Sequence, residues 1–176
     1  MPVLMIATYC EDGSVDVMNM AWGGICGNNK VALNITESHK TSKNIKERGA
    51  FTISVADIPH LEESDYFGTA SANRVKDKFE KSGMHAVKSE RVDAPIIEEY
   101  PITLECKVSK IYNDDEGFRV VGEIVNVLAD EEVLDSNGKV DPTKLNAFVF
   151  DQFQNGYYAI GEKVGEAWKS GNKYMK

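Results

Sequence analysis

The chain has little of what most catalytic signatures require. It has three cysteines, three histidines and five prolines in 176 residues. Cys10, Cys26 and Cys106 are odd in number and widely spaced, which excludes a disulfide framework and a C-x-x-C metal pair. They read as small, mostly buried residues of a reducing compartment. No His, Cys or carboxylate group has metal-ligand spacing, and no G-x-S-x-G nucleophile elbow is present. Neither G-x-G-x-x-G after a strand nor G-x-x-x-x-G-K-[ST] occurs, so a nucleotide, if bound, is not held by a Rossmann or P-loop device. The longest apolar run near the start, Val3-Leu4-Met5-Ile6-Ala7, is far too short to span a bilayer and has no basic lead or cleavage site. The expectation is a cytoplasmic protein without a membrane role. Net charge is −8, which disfavours nucleic-acid binding because phosphate neutralisation needs a clustered basic face.

What is there is enough for one domain over residues 1–176. Hydrophobic residues make up 42% of the chain. Val3–Tyr9 is β-rich, Glu11-Asp12-Gly13-Ser14 is a turn, and Val15-Asp16-Val17-Met18 resumes with period two, a hairpin signal. Gly23–Asn29 reads as a flexible connection and Val31–Ile35 as a buried strand. A short helix is expected from Thr41 to Arg48, with Gly49 as its left-handed C-cap, followed by a strand over Ala50–Val55. Asp57 and Pro59 start another helix that runs to Tyr66 or Phe67. Ser71 is expected to cap a third helix, with Ala72, Val75 and Phe79 on its inner face, that ends at Gly83. Ile102–Tyr112 and Phe118–Leu128 alternate as two long strands around the turn Asn113-Asp114-Asp115-Glu116-Gly117. Asp135-Ser136-Asn137-Gly138 is a turn, and Phe148-Val149-Phe150 a short final strand. About six strands with short helices between them, and no regular βαβ alternation, point to a small antiparallel β-barrel.

Two segments carry the chemistry. Thr36-Glu37-Ser38-His39-Lys40-Thr41-Ser42-Lys43-Asn44 gathers hydroxyls, an amide, a histidine and lysines where a strand turns into a helix. A helix N-terminus offers unpaired N–H groups and a positive dipole end, a natural seat for phosphate. Met18-Asn19-Met20-Ala21-Trp22 brings a tryptophan and an amide to a nearby strand edge, which suits a flat ring with polar edges. Together they read as the two ends of a nucleotide-like cofactor site. Each element also has a plainer reading. Ser38 and Thr41 can be ordinary helix caps, Lys40 a solvated lysine, Trp22 a core aromatic and Asn19 a strand-end residue. Glu62-Glu63 and Glu98-Glu99 are adjacent pairs that do not face one another on a helix, so they read as solvated acidic surface. Tyr157-Tyr158 can pack across a dimer or cover a cofactor, with core packing as the default reading.

In this order the elements resemble the flavin-reductase-like, FMN-binding split-barrel family, which includes the flavoredoxins. The resemblance rests on a β-strand before Glu11-Asp12-Gly13, on Asn19-Met20-Ala21-Trp22, and on Ser38-His39-Lys40-Thr41 with Asn44 one turn later. It continues through Gly49-Ala50-Phe51-Thr52-Ile53-Ser54, Tyr66-Phe67-Gly68-Thr69-Ala70-Ser71 and Lys76-Asp77-Lys78-Phe79. It implies a mainly β fold with short α insertions, the FMN-binding split β-barrel. It implies non-covalent FMN near the interface of a homodimer, with Asn19, Met20, Ala21 and Trp22 along the ring. Ser38, His39, Lys40, Thr41 and Asn44 would hold the phosphate and ribityl chain, and Lys78 would contact the cofactor. The implied activity is electron transfer from NADH or NADPH through the flavin, with no side chain required as general acid or base. The alternative is a flavoredoxin-type electron carrier that serves a redox protein partner and has no nicotinamide substrate.

Overall fold

The computed structural model describes residues 1–114 and 117–175. The chain opens with β1 (Leu4–Tyr9) and β2 (Val15–Met20), antiparallel, with Leu4 opposite Met20 and Tyr9 opposite Val15. The hairpin expected around Glu11–Ser14 is therefore present. β3 (Gly23–Gly27) pairs with β4 (Lys30–Ile35), which corrects the reading of Gly23–Asn29 as a flexible connection. Three glycines in five residues give that segment almost no intrinsic strand preference, and the pairing with β4 supplies what its side chains do not.

After β4 comes α1 (Lys40–Arg48), and Gly49 ends it at φ 64°, in the left-handed region. Its N–H bonds back to the Ile45 carbonyl, and the next residue opens β5 (Ala50–Val55). A 3-10 turn over Ile58–His60 leads into α2 (Leu61–Thr69). Asp57 precedes it as expected, but its carboxylate meets His60 Nδ1 at 2.8 Å rather than a helix N–H. The helix expected from Ser71 to Gly83 is cut to one short element, α3 (Lys78–Ser82), with turns before it.

β6 (Ala86–Lys88) and β7 (Pro95–Ile97) form a small ribbon. β8 (Ile102–Asp114) and β9 (Gly117–Ala129) make the long hairpin. Asp115 and Glu116 of its expected turn lie outside the described residues. β10 (Phe148–Asp151) is not the final strand, because β11 (Gly156–Ala159) pairs with it.

Seven strands form one antiparallel sheet in the order β2-β1-β5-β8-β9-β4-β3. Its inward residues from β1, β2, β4, β5, β8 and β9 meet in one cluster around Leu33, Phe51 and Val120, so the sheet curls into a barrel. The barrel is split between the edge strands β2 and β3 and is mainly β with few short helices. β1 is apolar on both faces for a reason. Leu4 and Ile6 point into the barrel, while Val3, Met5 and Ala7 pack outward against Phe67, Phe79 and Phe148. Phe67 of α2 and Phe79 of α3 stack at 6.2 Å, so this outer layer fixes both helices against β2.

The outward face of β8 is also covered. Ser54 and Thr103 share a 2.8 Å hydrogen bond, and the buried Glu105 accepts from Ser89 and Asn126. Among the described residues no helix is long and apolar enough to cross a membrane.

Candidate functional site

The site lies where three elements converge on β2. The chain leaves β4, passes Thr36–His39 and starts α1 beside the strand. Thr41 Oγ1 in the first turn donates to Asp16 Oδ2 at 2.7 Å, which pins the helix start to β2. On the other side, Asn19 Nδ2 donates to the Ser64 carbonyl of α2 at 2.9 Å. Lys78 reaches in from α3, and its ammonium donates to the Phe67 carbonyl at 2.9 Å. A cleft of about 130 Å³ remains between them. Its walls are Asp16, Met18 and Asn19 on one side, His39, Lys40 and Thr41 at the start of α1, and Phe67–Ala72 with Lys78 opposite.

The start of α1 is open. No side chain caps it, and the first intrahelical bond is Lys43 N–H to the His39 carbonyl. The N–H groups before that bond have no partner within the helix. With the dipole end and the neighbouring Lys40, they make a seat for an anion.

The floor of the cleft is charged and buried. Burial pushes the Asp16 carboxyl above its usual range, and the Thr41 hydrogen bond and the Lys78 charge work against that rise. Burial also pushes the Lys78 ammonium below its usual range, and Asp16 opposes this. Asp16 is thus the charge that compensates Lys78, whereas Asp16 is itself compensated first by the Thr41 hydrogen bond and then by Lys78.

The structure gathers Asn19, His39, Lys40, Thr41 and Lys78 into this cleft. It places the other sequence-derived candidates elsewhere. Met20 and Ala21 are buried, Met20 in the barrel core. Trp22 is 54% exposed at the split between β2 and β3, with its ring 6.1 Å from Phe150. Ser38 is exposed, and its carbonyl accepts from Asn73 Nδ2 at 2.9 Å. Asn44 is fully buried beneath α1, where Nδ2 donates to Thr8 Oγ1 at 3.0 Å and Oδ1 has no partner. Thr41 does line the cleft, but its hydroxyl proton is already given to Asp16.

Sequence reasoning missed Asp16. A signal was available: on a period-two strand Asp16 shares a face with Met18 and Met20, which are core residues. A carboxylate in a methionine row needs a partner, and the partners are Thr41 and Lys78. Tyr157 packs against Phe148 and Phe150, as the default core reading expects, and also makes a polar contact. Its hydroxyl donates to Asp65 Oδ1 at 2.9 Å, and the Asn19 amide interacts with the same phenol.

A curled antiparallel sheet, split between β2 and β3, matches a known class. The chain belongs to the flavin reductase like domain family, whose model matches residues 1–145. The fold is therefore the flavin-reductase-like, FMN-binding split barrel, a flavoprotein fold of oxidoreductases. Among solved structures, the chain is similar to the flavoredoxin of Desulfovibrio vulgaris (Miyazaki F), at 33% identity and a TM-score of 0.91, covering 97% of this chain and 92% of that one. It is also similar to the flavoredoxin from Methanosarcina acetivorans, at 25% identity and a TM-score of 0.90, covering 99% and 92%. An uncharacterised protein of Archaeoglobus fulgidus is 36% identical over 93 residues, which are 53% of this chain and 52% of that protein. That match spans about half the length of the relative.

Proposed function

We propose that this chain is an FMN-binding oxidoreductase of the flavin-reductase type, reduced by NADH or NADPH. The observation that carries the proposal is the open, uncapped start of α1 beside a cleft whose buried polar groups still have unused hydrogen-bonding capacity. The residues fit FMN. The N–H groups at the start of α1, with Lys40 and His39, would hold the phosphate by charge-assisted bonds. Asn19, already oriented by Ser64, would meet a polar edge of the ring, and Met18 would pack against its apolar surface. Bound FMN supplies the hydride and electron chemistry that no protein side chain offers. The protein's own work is to seat the phosphate, orient the ring and exclude water from the floor.

A homodimer is part of this reading. The cleft is smaller than sites that enclose drug-sized ligands, which run to roughly 300–1,000 Å³, so a second copy would close over the remainder. Trp22, Ile25, Val127 and Leu128 on the body, and Trp168 and Tyr174 on the C-terminal segment, are exposed apolar groups that such contact would cover. The free thiols of Cys10, Cys26 and Cys106 support a cytoplasmic setting.

A second reading is an electron carrier that passes electrons between protein partners. Similarity to two flavoredoxins and a net charge of −8, suited to docking on a basic partner, favour it. One experiment separates the two. FMN-loaded protein is mixed with NADH and then NADPH without oxygen, and the flavin absorbance is followed. Bleaching by either nicotinamide supports the reductase and names its donor. Bleaching only by a reduced ferredoxin-type protein supports the carrier. A protein that takes up no FMN overturns both.

A further inference from the structure

Beyond Ile160 the chain makes polar contacts only with itself. The last hydrogen bond that ties it to the body is Ile160 N–H to the Ala147 carbonyl. Among the described residues, every later hydrogen bond and ion pair is local. Lys163 and Ser170 meet Glu166, and the Asn172, Tyr174 and Met175 N–H groups each bond three residues back. Yet this segment carries Val164, Trp168, Tyr174 and Met175, each at least 79% exposed. Four large apolar side chains held in water on one short segment mark a contact that a single copy does not make. The segment lies beyond residues 1–145, which the family model matches.

Its charge is opposite to that of the body. Residues 161–176 hold four lysines and two glutamates, a net +2, so the rest of the chain carries −10. Lys169 adjoins Trp168, and Lys173 adjoins Tyr174.

A surface of complementary kind lies on β9. β4 pairs with β9 only over residues 118–123. Among the described residues, 125–129 are therefore laddered to β8 on one side and to no strand on the other. A free strand edge offers backbone N–H and C=O groups to an incoming chain. Val125, Val127 and Leu128 on this edge are 40–52% exposed. Asp130, Glu131 and Glu132 follow at once, with both glutamates exposed. An apolar edge with an acidic end thus stands bare on the same chain as an apolar segment studded with lysines.

Two complementary surfaces on one chain suit a reciprocal pair of copies. Trp168 and Tyr174 together offer about 300–500 Å². Counting both arms and the surface that each covers, this reaches the roughly 1,200–2,000 Å² of a stable interface.

We propose that residues 161–175 form an exchanged arm, which crosses to a second copy and lies along residues 125–129 of β9, with Lys169 and Lys173 against Glu131 and Glu132. Each copy gives one arm and receives one. This inference rests on the homodimer reading above, names its contact and does not depend on the flavin.

Sedimentation equilibrium of the full chain measures the dimer dissociation constant. Wild type is expected to be a dimer. Trp168→Ser, Lys169→Glu/Lys173→Glu and Glu131→Lys/Glu132→Lys should each weaken it about tenfold. The four charge reversals combined in one chain bring opposite charges together again and should return the constant to within about threefold of wild type. All five altered residues are exposed in the single copy, and unchanged far-UV circular dichroism verifies the fold. A dimer indifferent to these changes, or charge reversals that do not restore one another, overturns the exchanged arm and leaves the homodimer reading standing. A wild type that is monomeric at every concentration overturns both.

Discussion

The Lys78 ammonium lies 4.0 Å from the Asp16 carboxylate, and both side chains are almost entirely out of water. Removing one partner leaves the other as an uncompensated buried charge. Lys78→Met should therefore destabilise the protein by about 3 kcal/mol, while Asp16→Asn/Lys78→Met should recover most of that loss. Urea unfolding midpoints of the two variants check this. With Asp16→Asn alone completing the cycle, a double variant whose loss equals the sum of the two single losses would show that the two groups are not coupled.

Lys40 stands at the open start of α1, half-buried in the wall of the cleft. Lys40→Ala should weaken FMN binding about tenfold and leave riboflavin binding unchanged, because only FMN carries the phosphate. Fluorescence titrations with the two flavins measure the difference. An equal loss for both would move the phosphate away from this helix.

Gly122 faces Phe51 across the barrel interior. A Cβ added there would sit 2.4 Å from Phe51 Cζ, and Phe51 is fully buried. Gly122→Ala should cost about 1–3 kcal/mol by overpacking and lower the melting temperature by several degrees. A melting temperature equal to wild type would mean that the core yields more easily than its packing indicates.

Burial, with the acceptor Asp65, pushes the Tyr157 phenol up to about 12. A folded value above the unfolded one means that the neutral phenol is favoured in the fold. The stability this contributes is fully present below pH 10, the ordinary tyrosine value, and is lost as pH rises through about 12. Tyr157→Phe should be flatter than wild type over that window. Unfolding curves at several pH values in this range decide it, and parallel pH profiles for the two proteins would contradict it.

Much of the fold is legible because the responsible patterns are local. Period two in Val15–Met18 and in Ile102–Tyr112 shows directly as β2 and β8, and Gly49 shows as the end of α1 because its turn needs a left-handed residue. β3 is hidden because glycines carry no pattern, and its strand state comes from pairing with β4. The helix expected from Ser71 is present only as the five residues Lys78–Ser82, where Lys78 and Phe79 dock on Phe67, and turns precede it.

The candidate site was half legible. His39, Lys40 and Thr41 follow from the chemistry of a helix start. Asn44 is on the same helix one turn on, but that turn faces Thr8 and Cys10 in the interior. Asp16 is hidden in the period-two pattern of a strand, and only the arrival of α1 and α3 gives it partners.

The most direct test of the central claim is an equilibrium titration of apoprotein with FMN, followed by flavin fluorescence and absorbance. The account predicts saturable binding of one FMN per chain, with affinity lost when Lys40 is replaced by alanine. Fluorescence that rises in proportion to added FMN, with no saturable change at any protein concentration, would contradict it.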